Sequence, residues 1–454
     1  MNRVRSTVGI VVCAVAVLAG IGVAHAASGS TGGGQSGLAW ADRGMHVVGG
    51  PVASGGHVLV LVADADRSVL LEAVDPMTGA VKWKVPEAFS EITAGVATTP
   101  VAHSGVALAL APVAGKNGAF VRLEGVDVST GAVLWHSRSP VLVADAPTTC
   151  PKPLGSGGFC VIIATAPASA TTLVALSPKT GRLLTTVPNI ERLMSITPGL
   201  YQTDDSPSAL AGIRTPGGTN WSKPVSSLFG AGYDPDNGWD FDQYGSVEVG
   251  SIGKASAGNT LDLGATKTVA FSEAVGTQIW AIPGEYQCGG QDGLRGHYLC
   301  LMTGTASYKA GTLTASKDAT LTLQGFDPAT GQITWHQEVG GLTDLLLGNV
   351  AVKDVNHVLV TSRQGQKLVL DLRTGATSDA APGEVFWCAR FNLFKIHPPK
   401  GLSPERVGSS LFAPCNLSGH SVASFAPPPS VAGATIGQTF VWAAPDGLRA
   451  AKKP

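Results

Sequence analysis

The chain has 454 residues, of which 44% are hydrophobic, 14% are charged, 58 are glycine and 29 are proline. A coiled coil needs more charge, a charge-rich disordered chain needs less hydrophobicity, and a mostly helical protein needs fewer glycines and prolines, so all three classes are excluded. The formal charge of −1 gives no electrostatic reason to expect nucleic acid or an anionic membrane as a partner.

The N-terminus has the three parts of a secretory signal. Arg3 and Arg5 precede an apolar run of about 15 residues, and Ala24-His25-Ala26 has the form of a cleavage site. We therefore expect removal of residues 1–26, an extracytoplasmic location, and a Gly/Ser-rich linker over residues 27–36. An uncleaved membrane anchor is the alternative, because the run is near the short limit for spanning a bilayer. No second run is long enough to span, so no membrane contact is expected after cleavage.

One sequence pattern recurs along the chain. A strand-like run leads into Asp-x-x-Thr-Gly, and a tryptophan stands four residues after the glycine. The pattern is clearest at LLEAVDPMTGAVKW, VRLEGVDVSTGAVLW and LTLQGFDPATGQITW. With its weaker copies it has glycines at positions 79, 131, 181, 217, 276, 331 and 375. A recurring unit of this size indicates a repeat architecture.

Each copy reads as a β-hairpin. Asp can bond its own backbone at the start of the turn, and Gly supplies the positive φ that lets the next strand return. Val, Leu and Thr dominate on both sides, as strands require. A second hairpin precedes each copy, as in HVLVLVADADRSVLLEAV. Each unit is therefore predicted to contain four short strands, and stacking the units radially would bury their faces in a β-propeller.

Six cysteines follow the signal segment and form three local couples. Within the three couples, the two cysteines are 10, 12 and 27 positions apart. An even number of cysteines in an exported chain indicates disulfides. Sequential pairing predicts Cys150–Cys160, Cys288–Cys300 and Cys388–Cys415. Zinc would need closely spaced Cys or His ligands, which are missing from the sequence.

Acidic residues concentrate in GYDPDNGWDFDQYG, which contains Asp234, Asp236, Asn237, Asp240 and Asp242. A calcium loop would place glycine one position later and would end in a glutamate. A solvated turn is therefore the preferred reading, with calcium as the alternative.

Residues 381–430 interrupt the repeat with a long insertion. Its aromatic and basic side chains lie beside Cys388, and they are Phe386, Trp387, Arg390, Phe391 and Phe394. Long loops in compact proteins are usually functional or disordered, and a disulfide to Cys415 would keep this one ordered. A binding surface is one hypothesis, and an apolar plug packed under the disulfide is the other.

The two ends of the chain look like parts of one unit. TFVWAAPDGLRAAK resembles two middle strands, and GLAWADRG resembles the missing outer strand. Strands from both termini would close the ring and remove free sheet edges. We therefore predict an all-β fold in which residues 37–454 form a single propeller of four-stranded blades, eight in number, with seven as the alternative.

The A/G-x-D-x-x-T-G-x-x-x-W pattern resembles the tryptophan-docking repeat of the pyrroloquinoline-quinone (PQQ) type propellers, the quinoprotein alcohol dehydrogenase-like superfamily. The resemblance covers nearly all of the chain from Gly37 onward. In that superfamily the tryptophan packs between neighbouring blades. The resemblance thus implies a structural docking role for Trp83, Trp135, Trp221, Trp280 and Trp335.

The same resemblance raises the question of catalysis. The PQQ-dependent alcohol dehydrogenases have an adjacent Cys-Cys pair, a catalytic Asp and a bound calcium, and this chain has no adjacent cysteines. The histidines are scattered, and no spacing selects a Ser-His-Asp triad. We therefore expect no catalytic residue, no bound cofactor and no metal, with PQQ and calcium as the alternatives.

These observations lead to one functional hypothesis and two alternatives. The hypothesis is a secreted, non-catalytic propeller that acts as a binding or scaffold module at the bacterial cell envelope, with a protein or glycan partner. A small PQQ-dependent oxidoreductase is the first alternative, and a carbohydrate-binding propeller is the second.

Overall fold

The computed structural model describes residues 38–64, 68–88, 99–113, 120–155, 157–166, 169–195, 199–203, 209–215, 218–254, 260–288, 296–309, 312–340, 350–395, 406–422 and 433–452. The expected signal segment 1–26 and the linker 27–36 lie outside these residues. The described chain is nearly all strand, as predicted from its turn-forming and β-branched residues.

The strands form antiparallel sets of four, here called blades and numbered along the chain. Blade 1 contains β2 (His46–Ser54), β3 (His57–Ala63), β4 (Val69–Val74) and β5 (Val81–Glu87). Blade 2 contains β6 (Val101–His103), β7 (Val106–Pro112), β8 (Phe120–Asp127) and β9 (Val133–His136), and blade 3 contains β11 (Thr148–Thr149), β12 (Phe159–Ala164), β13 (Thr172–Leu176) and β14 (Leu183–Pro188). Blade 4 contains β15 (Ile190–Ser195), β16 (Leu200–Thr203), β17 (Ala209–Thr215) and β18 (Gly218–Pro224).

The second half of the chain continues the pattern. Blade 5 contains β19 (Trp239–Tyr244), β20 (Val247–Gly253), β22 (Thr266–Ser272) and β23 (Gln278–Pro283). Blade 6 contains β24 (Glu285–Tyr286), β25 (Tyr298–Thr303), β28 (Thr320–Phe326) and β29 (Ile333–Val339), and blade 7 contains β30 (Ala351–Asp354), β31 (His357–Thr361), β32 (Lys367–Asp371) and β33 (Thr377–Asp379).

Blade 8 combines both ends of the chain, as predicted. It contains β36 (Ala434–Ile436), β37 (Thr439–Ala444), β38 (Gly447–Lys452) and the N-terminal strand β1 (Leu38–Asp42). Strand β1 pairs antiparallel with β38, with Trp40 opposite Ala450. The described strands thus group into eight sets, which favours eight blades over seven; the number of blades in the ring stays a prediction.

Five kinds of addition extend the blades. They are β10 (Val141–Val143), which pairs with β8 and β12; β21 (Thr260–Asp262) with the hairpin β26 (Thr305–Lys309) and β27 (Thr312–Ala315); the hairpin β34 (Phe386–Lys395) and β35 (Arg406–Cys415); the helices α1 (Lys152–Gly155) and α2 (Val225–Phe229); and a 3-10 turn at Pro235–Asn237. No helix in the described ranges is both long and apolar enough to cross a membrane.

The additions are distributed unequally between the two faces of the propeller. In an antiparallel blade, the connection from the second to the third strand and the connection to the next blade leave at one face, here called the inserted face. The repeated Thr-Gly turns close at the opposite face, here called the turn face. Strands β10, β21, β26, β27, β34 and β35 all lie in connections of the inserted face.

The Thr-Gly turns have the chemistry that the sequence predicts. In blade 1, Asp75 Oδ1 accepts hydrogen bonds from the backbone N–H groups of Met77 at 2.9 Å and Thr78 at 3.1 Å. Gly79 has a φ of +75°, which favours glycine over other residues. Asp327 accepts equivalent bonds from Ala329 and Thr330 in blade 6.

The repeat tryptophans lie between neighbouring blades. Trp83 of blade 1 donates from Nε1 to the carbonyl of Val128 in blade 2 at 2.7 Å, and Trp280 of blade 5 donates to the carbonyl of Pro328 in blade 6 at 3.0 Å. Trp135 and Trp221 donate in the same way to the carbonyls of Pro178 and Glu273, and Trp335 lies over Gly375 of blade 7. Each indole ring therefore covers the glycine turn of the next blade.

The repeat also places a small residue beneath each tryptophan. Ala73 lies opposite Trp83 in the strand register, and Gly125 and Gly325 lie opposite Trp135 and Trp335. A larger side chain at Gly125 or Gly325 would collide with the indole, which gives the Ala/Gly position of the repeat its physical reason.

Candidate functional site

The predicted disulfides join Cys150 to Cys160, Cys288 to Cys300 and Cys388 to Cys415, with Cα atoms 4.9, 5.8 and 5.8 Å apart. The first two close loops between the first and second strands of blades 3 and 6. The third closes the base of the hairpin β34–β35. The three couples thus pair sequentially, as their spacing indicated.

The predicted binding surface is wrong for two of its five residues. Strand β34 pairs with β30, the first strand of blade 7, through Cys388 opposite Ala351 and Trp387 opposite Val352. Phe386 and Trp387 are buried there. They belong to the core because the insertion begins by extending a sheet instead of crossing the surface as a loop.

The other three residues are farther along β34. Arg390, Phe391 and Phe394 pair through their backbones with Leu411, Ser410 and Val407 of β35. Their side chains lie outside the described residues. A binding role for these three residues stays a prediction.

The acidic segment does not form a loop around one point. Asp234 lies before the 3-10 turn, whereas Asp240 and Asp242 lie on β19, and the side chain of Asp236 is outside the described residues. Because alternate residues of a strand share a face, Asp240, Asp242 and Tyr244 point to the same side of β19. Tyr244 was not among the predicted site residues.

A tyrosine–carboxylate cluster forms where β19 meets β24, the first strands of blades 5 and 6. It consists of Asp240, Asp242, Tyr244 and Tyr286, and Glu285 precedes Tyr286 on β24. The hydroxyls of Tyr244 and Tyr286 lie in direct contact, and both approach Asp242 Oδ2, at 3.3 and 3.4 Å. Two neighbours complete the arrangement. Gln287 donates from Nε2 to the Tyr286 hydroxyl at 2.6 Å, and the ring of His297 lies edge-on to Tyr244.

Burial controls the protonation of the cluster. It raises the pKa of Tyr244 and Tyr286 well above the usual value, and the charges of Asp242 and Asp240 raise both further. Burial also raises the pKa of the Glu285 carboxyl to about 7, and it lowers the pKa of His297. At neutral pH the two phenols are therefore neutral hydrogen-bonding groups, and neither is a base that could accept a proton from a substrate.

The cluster does not fit the cofactor that the repeat implies. PQQ carries three carboxylates, and the charges of Asp240 and Asp242 would repel them. Calcium could relieve that repulsion, but the described part of the chain has no group of three or more His, Cys, Asp or Glu side chains placed to hold a metal. The donor set favours recognition of a neutral polar group.

One known protein family matches the N-terminal part of the chain, which contains the first repeats. The PQQ_2 family model, described as outer membrane protein assembly factor BamB, matches residues 19–191, which include blades 1 to 3. Over these residues the chain is similar to the PQQ-like repeat family. The matched range contains two of the three clearest turns, in blades 1 and 2, and the docked tryptophans Trp83 and Trp135. The same docking contacts continue beyond it with Trp221 and Trp280.

Solved structures of similar proteins share little sequence with the chain. BamB from Moraxella catarrhalis is 14% identical over 89% of this chain and 95% of its own, with a TM-score of 0.33. The quinohemoprotein alcohol dehydrogenase from Comamonas testosteroni is 12% identical over 78% of this chain and 72% of its own, with a TM-score of 0.42. TM-scores this low support no conclusion about function. Curated protein sequences include no match to the chain.

One docking tryptophan was missed by sequence reasoning. Trp40 of β1 donates from Nε1 to the carbonyl of Pro76 at 2.8 Å and covers Gly79 of blade 1. It occupies the position of Trp83 in the next blade, but its own Thr-Gly turn is missing because blade 8 is split between the chain ends. The available signal was the Leu-Ala-Trp of the predicted outer strand.

Proposed function

We propose that the protein is an extracytoplasmic, non-enzymatic propeller that binds another protein at the cell envelope through its inserted face. One observation carries the proposal. Strand β30 begins at Ala351, which pairs with Cys388 of the antiparallel strand β34. Strand β34 continues for seven residues beyond Cys388, past the first residue of β30. The hairpin β34–β35 therefore has a buried, disulfide-joined base and a distal half that continues past the blade at the inserted face.

This geometry suits binding because it separates support from recognition. The faces of the blade strands are occupied by packing: Leu59 and Leu71 of blade 1 share a core with Ala109 and Val126 of blade 2. The hairpin β34–β35 is additional to the four strands of each blade. Rigid scaffolds commonly position binding residues on such extensions.

The electrostatics of the tyrosine–carboxylate cluster support a non-enzymatic role. Its phenols are held neutral, and its carboxylates oppose PQQ. The three disulfides suit an oxidising, extracytoplasmic compartment. Removal of residues 1–26 would release the protein from the membrane, and retention of that segment would anchor it with the same propeller exposed.

A glycan is the second candidate partner. The observation that favours it is the exposed carboxylate of Asp242 beside the half-buried phenol of Tyr244, since sugars bind through such polar groups beside aromatic rings. A glycan screen with the wild-type protein and Asp242→Asn separates this candidate from a protein partner. Binding that is lost in Asp242→Asn would support the glycan.

The proposal is tested with the distal half of the hairpin. Replacing Phe391 and Phe394 with Ser should leave the melting temperature nearly unchanged and weaken partner capture from an extracytoplasmic fraction by about 2 kcal/mol or more, the loss of a hot spot. Ile333→Ser, at an exposed position near the turn face, is the matched control and should bind as the wild type does.

Two results would contradict the proposal. One is a double variant that is stable and still captures the partner. The other is an absorbance typical of bound PQQ when the mature protein is titrated with PQQ and calcium, accompanied by dye reduction with an alcohol.

A further inference from the structure

Exposed apolar side chains recur at one position of the outer strands. Val81 of blade 1, Val133 and Leu134 of blade 2, and Leu183 and Leu184 of blade 3 each follow a Thr-Gly turn by two or three residues. All five are between 41% and 51% exposed. Large apolar side chains exposed together on adjacent elements indicate an interaction surface.

The docked tryptophans lie between the exposed apolar side chains of neighbouring blades. Trp83 of blade 1 covers Gly131, which precedes Val133 by two residues, and Trp135 of blade 2 covers Gly181, which precedes Leu183 by two residues. The apolar side chains of three consecutive blades are thus joined through indole rings around the rim of the turn face.

Basic side chains accompany the apolar ones. They are exposed, they lie on the same outer strands and turns, and they are Lys82, Lys84, Lys179 and Arg182. Only Asp75 and Asp127 oppose them in the same turns, and Lys82 pairs with Asp75 at 3.1 Å. Blade 3 has Ser177 where the other two turns have aspartate. These nine apolar and basic residues are here called the apolar–basic band.

Blades 5 and 6 provide an internal comparison. Ile279 and Ile333 follow their turn glycines by three and two residues and are 49% and 37% exposed. Strands β23 and β29 contain no Lys or Arg. The nearby carboxylates are those of Glu273, Asp327 and Glu338, and Arg363 pairs with Glu338 at 3.0 Å. The apolar position is therefore common to the repeat, and blades 1 to 3 combine it with positive charge, whereas blades 5 and 6 do not.

We propose that the apolar–basic band binds an acidic, extended segment of a partner protein that also carries apolar side chains. Its leucines or aromatics would pack on Val133, Leu134 and Leu183, and its carboxylates would pair with Lys84 and Arg182. The outer strands β5, β9 and β14 each pair on one side only among the described strands, so their backbones can also accept such a segment.

Two other occupants fit the band less well. A second copy in a symmetric dimer would place two positive bands against each other, because a two-fold interface brings the same patch together. A planar membrane would contact the outer strands of few blades at once, because successive blades rotate around the propeller axis and make this surface convex. A flexible acidic segment can follow the curve.

The band lies at the turn face, so this proposal is independent of the proposed function at the inserted face. If both hold, the propeller is a scaffold that can contact two partners at opposite faces.

The experiment measures binding of a dye-labelled peptide of alternating Asp and Leu by fluorescence anisotropy. We expect saturable binding that weakens with added salt, because the band is exposed and its charges are screened. The double variant Leu134→Ser/Leu183→Ser and the charge variant Lys84→Glu/Arg182→Glu should each weaken binding about tenfold or more. The matched control Ile279→Ser/Ile333→Ser should change binding by less than about twofold.

A peptide of alternating Lys and Leu separates charge recognition from apolar adhesion. The proposal is overturned if this peptide binds as tightly as the acidic one, if neither peptide binds, or if the control pair weakens binding as much as the band variants do. Flotation with phosphatidylglycerol vesicles in place of peptide binding would assign the band to a membrane. Salt-sensitive self-association in sedimentation would assign it to a second copy. If a band variant fails to fold, the affinities of the wild-type protein for the acidic and the basic peptide test the proposal instead.

Discussion

The turn face and the inserted face of this propeller follow different rules. At the turn face, blades 1, 2, 6 and 7 repeat one arrangement, in which an aspartate caps the turn, a glycine takes positive φ, and a tryptophan from the preceding blade covers that glycine. At the inserted face the connections differ in length and carry six additional strands. The turn face holds neighbouring blades together, and the inserted face is free to differ from blade to blade. Changes at the two faces should therefore separate stability from binding.

The largest effect is expected for a docking tryptophan. Trp83→Ala removes a large side chain from the seam between blades 1 and 2, together with its bond to the Val128 carbonyl. We expect a loss of about 3–5 kcal/mol in the free energy of unfolding. Trp239→Ala, at a partly exposed position outside the docking set, should lose much less. Equal losses by denaturant unfolding would refute the docking role.

The next effect concerns the disulfide at the base of the inserted hairpin. Replacing Cys388 and Cys415 with Ala opens a loop of 27 residues and should lower stability by about 3–4 kcal/mol in the chain-entropy model. Replacing Cys150 and Cys160, which are 10 residues apart, should have a smaller effect. The measurement is chemical unfolding under non-reducing conditions, and the reverse order would show that the third disulfide does not support the hairpin base.

Glu87 gives the inserted-face end of strand β5 a pH dependence. The side chain is buried, Oε1 accepts a hydrogen bond from the N–H of Leu110 at 2.9 Å, and burial raises the pKa to about 8. The pKa of Glu87 is higher in the folded state than in the unfolded state. The stability that protonated Glu87 contributes is therefore fully present below pH 4.5 and is lost as the pH rises toward 8.

Glu87→Gln keeps the hydrogen-bond acceptor and removes the ionisation. As the pH rises from 4.5 to 7, the free energy of unfolding of Glu87→Gln should increase by about 3 kcal/mol relative to that of the wild type. Unfolding curves at several pH values test this expectation, and parallel stability profiles for the two proteins would contradict it.

The smallest effect compares two glycines of similar φ. Gly331 at the turn face has a φ of +72°, and a Cβ there would lie 2.7 Å from the ring of Trp280; Gly365 at the inserted face has a φ of +84° and open space around it. Both alanine variants acquire the left-handed strain of about 1–2 kcal/mol. Gly331→Ala should lose more, because the indole must also move. Equal melting temperatures would mean that the ring does not constrain the turn.

Sequence reasoning predicted the features that repeat and missed those that do not. Asp-x-x-Thr-Gly and Trp83 recur with their physical requirements, so the turn, the blade and the split blade 8 could be predicted. The cluster of Tyr244 and Tyr286 could not, because these side chains are 42 residues apart and meet only when blades 5 and 6 pack. Phe386 and Trp387 looked like surface aromatics because the sequence does not show that β34 pairs with β30.

Photocrosslinking at matched positions on the two faces tests the central claim most directly. Lys317 follows the inserted hairpin of blade 6, and Thr330 lies in the Thr-Gly turn of the same blade; both are exposed. With a photoreactive residue at each position in turn, a protein partner in the envelope should crosslink to position 317 and not to position 330. Crosslinks confined to position 330, or equal at both positions, would contradict binding through the inserted face.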